Sequence, residues 1–258
     1  MAEQNRRALV CGASSGIGKE VALELSRRGV QCILLARRTD RLIAVQEEII
    51  DNNGPEPILL VGDLEELDTL LPRIEELLRA APIHILINNT GGPKGGPLMN
   101  AQPSEFLQAF QRHVIAAHVL TQKLVPSMEQ SGFGRIINIV STSVYEPIPN
   151  LGVSNTIRGA VASWSKSMSR ELPPKVTINN VLPGFTDTER LTSLKNGRAA
   201  REGVEPEKVK QAWLSQVPEG RLAQPQETAK AICFLASEDA SYIRGVSLAV
   251  DGGRLRSI

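Results

Sequence analysis

A chain of 258 residues with 41% hydrophobic and 22% charged side chains has the composition of a globular protein with a sizeable core, which excludes a disordered, collagenous or coiled-coil chain. Its 29 basic and 28 acidic residues leave a net charge of +1, too little for an electrostatic footprint that would suit nucleic acid or an anionic membrane. The three cysteines, Cys11, Cys32 and Cys233, sit in apolar runs, an odd set that predicts reduced core thiols and a cytoplasmic protein.

The polar start at residues 1–7 carries no apolar targeting segment, and no run approaches the length of a membrane span, so neither export nor a membrane partner is expected. A short apolar run at 8–11 predicts the first strand. Ile17, Val21 and Leu25 then recur at helical spacing until Gly29 stops the helix. A strand at 31–36 leads to a helix capped by Thr39 and ended by the Asn, Gly and Pro of the turn at 51–55. The alternation continues with strands at 58–61, 83–87, 135–140, 176–181 and 246–250, and helices near 65–80, 104–130, 153–172 and 226–237. Strands separated by helices in this way predict βαβ units around a parallel sheet. The least patterned stretch, 188–216, is charged and rich in Gly and Arg and is expected to be a mobile insertion beside the substrate. No repeat or linker divides the chain, so one domain over 1–258 is expected.

Gly12, Ser14, Ser15, Gly16, Ile17 and Gly18 join the first strand to the first helix. At such a turn, missing Cβ atoms let the backbone approach a diphosphate, whose charge is stabilised by free N–H groups and the helix dipole. The expected fold is therefore an α/β Rossmann fold, a doubly wound seven-stranded parallel sheet with helices on both faces. About 20 residues past the glycines the chain should meet the adenosine ribose. Here it offers no carboxylate for a 2′-hydroxyl but Arg37 and Arg38, whose forks suit a 2′-phosphate, which favours NADP(H) over NAD(H).

At this point the residues resemble the short-chain dehydrogenase/reductase family, nearest to the 3-oxoacyl-carrier-protein reductases and their divergent relatives. Besides the glycine loop, Asp63 and Leu64 look like the pair that meets the adenine, and Asn89 and Gly91 lie in a close match to its Asn-Asn-Ala-Gly strand end. Pro183, Gly184, Thr186 and Thr188 resemble its nicotinamide loop, and the run at 250–253 its terminal strand. The resemblance implies a homotetramer or homodimer, built partly through the helices at 104–130 and 153–172. It also implies a catalytic Ser, a Tyr thirteen residues on, a Lys four further, and an Asn on the preceding helix. Ser141 stands at the first of these positions, but Ser154 replaces the Tyr, Arg158 the Lys and His113 the Asn. No Tyr-x-x-x-Lys exists elsewhere, since Tyr145 is followed four residues later by Pro149, and Tyr242 by Val246.

A serine hydroxyl is a much weaker acid than a phenol, and a guanidinium does not relay protons as an amine does. His113 and Tyr145 are therefore the other candidates for a proton donor. The glycine-rich loop after the fourth strand carries Lys94, a candidate contact for an anionic substrate, and Cys11 takes the place of the family's usual Thr as a small core side chain. His84, His113 and His118 form no cluster with cysteines, so no metal is expected. Three readings follow: an NADP(H)-dependent oxidoreductase acting on a small carbonyl or alcohol with an altered catalytic set, a catalytically silent NADP(H) sensor or scaffold, or a non-redox isomerase or lyase.

Overall fold

The computed structural model describes residues 5–257, so the polar start lies in part outside the described residues. Its strands are β1 (Arg7–Cys11), β2 (Gln31–Ala36), β3 (Ile58–Val61), β4 (Ile85–Asn88), β5 (Gly134–Ile139), β6 (Val176–Pro183) and β7 (Ser247–Val250). They form one parallel sheet in the order β3-β2-β1-β4-β5-β6-β7, the expected architecture. The helices are α1 (Gly16–Arg27), α2 (Thr39–Asp51), α3 (Leu67–Ala80), α4 (Pro103–Phe110), α5 (Ala116–Gln130), α6 (Gly152–Glu171), α7 (Glu189–Glu202), α8 (Pro206–Leu214) and α9 (Pro225–Leu235).

A parallel sheet covered on both faces requires strands that are apolar on both sides, and all five residues of β1 are buried. Successive side chains point to opposite faces. Ala8, Val10, Leu34 and Ile87 join the layer formed with α1, α2 and α9, whereas Leu9, Ile33, Leu35 and Leu86 join the layer with α3 and α5. The strand order reverses between β1 and β4, and the crevice at the carboxyl ends of those two strands is where such sheets bind ligands.

Side-chain amides cross the sheet in a row beneath that crevice. Asn88 Nδ2 donates to Asn138 Oδ1 at 2.8 Å, Asn138 Nδ2 to Asn180 Oδ1 at 2.9 Å, and Asn180 Nδ2 to Ser247 Oγ at 3.0 Å, joining β4, β5, β6 and β7.

Two expectations are corrected. The helix expected at 104–130 is interrupted by a π-helical segment at Gln111–Ile115, between α4 and α5, and this widened turn carries His113. The stretch at 188–216, the least patterned in the sequence and expected to be a mobile insertion, contains α7 and α8. Thr188 caps α7 by accepting a bond from the Leu191 N–H at 3.2 Å, Gly203 ends it in the left-handed region at φ 64°, and Pro206 opens α8. Phe185, Ala199, Val209, Trp213 and Val217 form a small core under these helices, with the Phe185 and Trp213 rings stacked 5.1 Å apart.

Candidate active site

The carboxyl ends of the strands border a cleft of about 630 Å³. Gly12, Ser14, Ser15, Gly16 and Ile17 line one end together with Arg37, Arg38, Asp63 and Leu64. Asn89, Gly91, Pro183, Gly184, Thr186 and Thr188 line its middle, and Ser141, Ser154 and Arg158 its other end. Residues far apart in sequence thus meet in one crevice.

The nucleotide end fits a dinucleotide on its own geometry. Gly12 and Gly16 take φ +62° and +55°, which side chains with a Cβ rarely adopt. The residue preceding α1, Ser15, makes no side-chain cap, so the first-turn N–H groups are free for a diphosphate. Arg37 and Arg38 are exposed at the rim, and Arg37 reaches only a loose contact with Asp63 at 3.4 Å. Gly18 does not line the cleft, which corrects its expected role as a direct contact. A Cβ there would lie 2.2 Å from the Gly12 carbonyl oxygen and 2.6 Å from Asn89 Nδ2, so Gly18 lets α1 pack beneath the loop.

At the other end, Ser141 Oγ accepts the Ser143 N–H at 3.1 Å, which leaves its own hydroxyl proton free to donate. Arg158 Nη1 donates to the Ile139 carbonyl at 2.8 Å. Burial and the neighbouring charge of Arg190 bring the Arg158 guanidinium down to about 10, still cationic at neutral pH.

Two candidate acids are corrected. Tyr145 is half exposed and does not line the cleft; its hydroxyl donates to the Ser247 carbonyl at 3.4 Å. His113 lies beneath the cleft, 6% exposed, beside a void of about 20 Å³ that Asn138 and Arg158 also line. Burial, then the charge of Arg158, hold its imidazole well below the ordinary value against an opposing hydrogen bond with the Gly91 backbone, and its Nε2 has no hydrogen-bond partner. A histidine in that state is neutral at pH 7 and is no ready acid there. Lys94 is exposed and also off the cleft lining. Burial pushes the Cys11 thiol up to about 12, as suits a core side chain.

The sequence reading missed a set of arginines. Arg190, Arg198 and Arg201 line the cleft from α7, and Arg254 enters it just beyond β7. The spacing 190, 194, 198, 201 is that of one helical face and was visible once α7 was recognised. For Arg254, following Gly252 and Gly253, no local signal distinguishes it from a surface arginine.

A family model described as enoyl-(acyl carrier protein) reductase matches residues 12–254. The NADPH-dependent reductase BacG of Bacillus subtilis (strain 168) is 32% identical over 259 residues, covering 98% of this chain and 99% of the relative. The 3-oxoacyl-(acyl-carrier-protein) reductase FabG of Haemophilus influenzae is 35% identical over 253 residues, covering 97% of this chain and 98% of the relative. Among solved structures, YwfH, described as an NADPH-dependent reductase involved in bacilysin biosynthesis, matches with a TM-score of 0.92 at 31% identity, covering 98% of this chain and 99% of its own.

Proposed function

Because the chain belongs to the short-chain dehydrogenase/reductase family, whose enoyl-(acyl carrier protein) reductase model spans most of its length, we propose that it is an NADP(H)-dependent oxidoreductase. It reduces a carbonyl, of 3-oxoacyl type or a small ketone, or oxidises the matching alcohol, with an altered catalytic set. The observation that carries this reading is the shared lining: the glycine loop, Arg37, Ser141, Ser154 and Arg158 border a single cleft. The relatives named as NADPH-dependent reductases support the choice of nucleotide.

When bound, NADPH supplies the hydride. The chain itself must hold the carbonyl, stabilise negative charge on its oxygen and deliver a proton. The Ser141 hydroxyl, oriented by the Ser143 N–H, donates to the substrate oxygen. Arg158, anchored on the Ile139 carbonyl, presents its remaining guanidinium N–H groups as a fixed cation near the developing alkoxide. Ser154 passes its hydroxyl proton to that alkoxide and is reprotonated from solvent through the open cleft. A serine is a weak acid in water, but the alkoxide is a strong base and the neighbouring cation favours the charged side of the transfer. Self-association as a dimer or tetramer accompanies this reading, supported by Leu107 and Phe110, which stand exposed on α4.

The test pairs NADPH titration by fluorescence with absorbance turnover on a panel of ketones and 3-oxoacyl thioesters. Binding with turnover on at least one member is expected. Tight binding with no turnover on any favours a silent nucleotide sensor. In an active enzyme, Ser154→Ala is expected to slow the step about 10²–10⁴-fold, the usual contribution of a positioned acid.

A further inference from the structure

Resting on the reductase reading, we infer that the substrate half of the cleft is an anion site, and that the carbonyl substrate carries a carboxylate or phosphate gripped by Arg190 and Arg254. Arg158, Arg190, Arg198, Arg201 and Arg254 line this half from α6, α7 and the turn after β7. A point one Cβ bond above Gly92 lies 3.3 Å from Arg190 Nη2 and 3.7 Å from Arg158 Nη2, so two guanidinium groups converge on one place. Arg190 also donates to the Pro93 carbonyl, which fixes it at the cleft wall. Arg254 is 7% exposed; its Nη1 donates to Thr142 Oγ1 at 3.0 Å, one residue from Ser141, its guanidinium sits 5.0 Å over the Phe185 ring, and its buried Nε has no partner.

Among the described residues no carboxylate comes within 4.0 Å of Arg158, Arg190, Arg201 or Arg254, while Arg198 is held by Glu202. The acidic residues bordering the cleft are engaged elsewhere, Glu189 by Arg41 at 2.7 Å and Asp63 by Arg37 at the nucleotide end. Arg254 is buried and the adjacent Arg158 and Arg190 are partly buried, and cations withdrawn from water in this way without counter-charges are unfavourable unless an anion completes them. A carboxylate or phosphate matches the planar forks of arginine in geometry as well as in sign. The diphosphate of the nucleotide has its own cradle at the start of α1, whereas Arg254 stands beside the serine that orients the carbonyl.

The experiment titrates the NADP⁺-saturated protein calorimetrically with 2-oxobutanoate, 3-oxobutanoate and 4-oxopentanoate, each beside its methyl ester, and with inorganic phosphate. At least one acid is expected to bind about tenfold or more tighter than its ester, as charge-assisted hydrogen bonds would give. Phosphate displacing the acid at lower concentration than the acid itself would assign the anion to a phosphate ester; weak displacement assigns it to a carboxylate. Arg254→Gln is expected to remove the acid preference while leaving NADPH affinity unchanged. Because Arg254 is buried, Arg201→Gln, an exposed rim variant, is measured alongside and should reduce the preference two- to threefold. Equal binding of acids and esters, no binding by any acid or by phosphate, or loss of NADPH affinity in step with acid affinity in both variants would overturn the inference. Should NADP⁺ give no heat, the reductase reading fails by itself, and the acid and ester comparison is read on the nucleotide-free protein.

Discussion

Substituting Gly18 by alanine tests whether the turn between β1 and α1 is held by close packing. The added methyl would stand 2.2 Å from the Gly12 carbonyl oxygen, 2.9 Å from the Gly12 carbonyl carbon and 2.6 Å from Asn89 Nδ2. Ordinary contact needs roughly 1 Å more against each, and two of the three atoms are backbone, so the start of α1 must tilt away from the loop. Overpacking of this kind costs about 1–3 kcal/mol. The Asn89 amide, which donates to the Cys11 and Gly12 carbonyls at 3.3 and 3.4 Å, would be pushed aside, and each weakened bond adds about 0.5–1.5 kcal/mol. Gly18→Ala should therefore lose about 2–6 kcal/mol in urea unfolding followed by circular dichroism, with NADPH affinity lowered because the loop amides shift. Gly91→Ala is the control: nothing lies within 4 Å of its new Cβ, and its unfolding free energy should stay within about 0.5 kcal/mol of the parent. A Gly18→Ala protein as stable as that control, binding NADPH equally well, would refute the packing argument.

Removing the forks at the rim, Arg37→Gln with Arg38→Gln, should weaken NADPH by about 10- to 100-fold while NADH binding hardly moves, as read by fluorescence titration; equal losses for both nucleotides would disprove a 2′-phosphate contact. His113 is depressed by burial, so the unfolded chain binds the proton first as pH falls. Its contribution is complete above about pH 6.5 and is lost as pH drops from there toward the folded value, with a slope of at most about 1.4 kcal/mol per pH unit. His84 is lowered too and adds to the same window; His113→Asn should flatten, but not abolish, the loss of stability between about pH 6.5 and 5, and an unchanged slope would count against a buried neutral imidazole. Cys11 and Cys32, both pushed up to about 12, and the buried Cys233 should resist iodoacetamide at pH 8 until urea unfolds the chain, as followed by intact mass; rapid alkylation of the native protein would contradict their burial. Finally, Ser154→Tyr with Arg158→Lys should raise carbonyl reduction if the cleft is that of a reductase, while no gain in a folded double variant would mean that the pocket serves other chemistry.

The sheet was legible because strands covered on both faces must be apolar throughout, and runs such as 31–36 and 176–181 stand out against amphipathic helices. The glycine loop was legible because backbone geometry restricts what can stand there. The segment over the cleft was not, since α7 directs only Leu191, Leu194 and Ala199 inward and its many charges conceal the period, although Thr188, Gly203 and Pro206 were readable as helix boundaries. Arg254 was unreadable for another reason: its importance depends on Thr142 and Phe185, more than 60 positions away in the chain, and no local pattern encodes that meeting. His113 and Tyr145 were reasonable acids by type, but burial silences the first and position disqualifies the second.

The row of amides running from Asn88 to Ser247 acts as a ruler laid across the floor of the molecule. The inner members, Asn138 and Asn180, both give and receive, so every bond points the same way, and a slip of one residue in either of their strands would turn its member toward the opposite face and break the row on both sides. The stations it spaces out include the strand feeding Asn89, the strand ending beside Ser141 and the strand delivering Arg254. The spacing between the strand ends that lead to Ser141 and to Arg254 is thus set in the sheet, while both side chains stand on the turns just beyond it. Ligand length should accordingly be discriminated more sharply than ligand shape, and redesign of the loops alone should change which groups enter without changing how far in they reach.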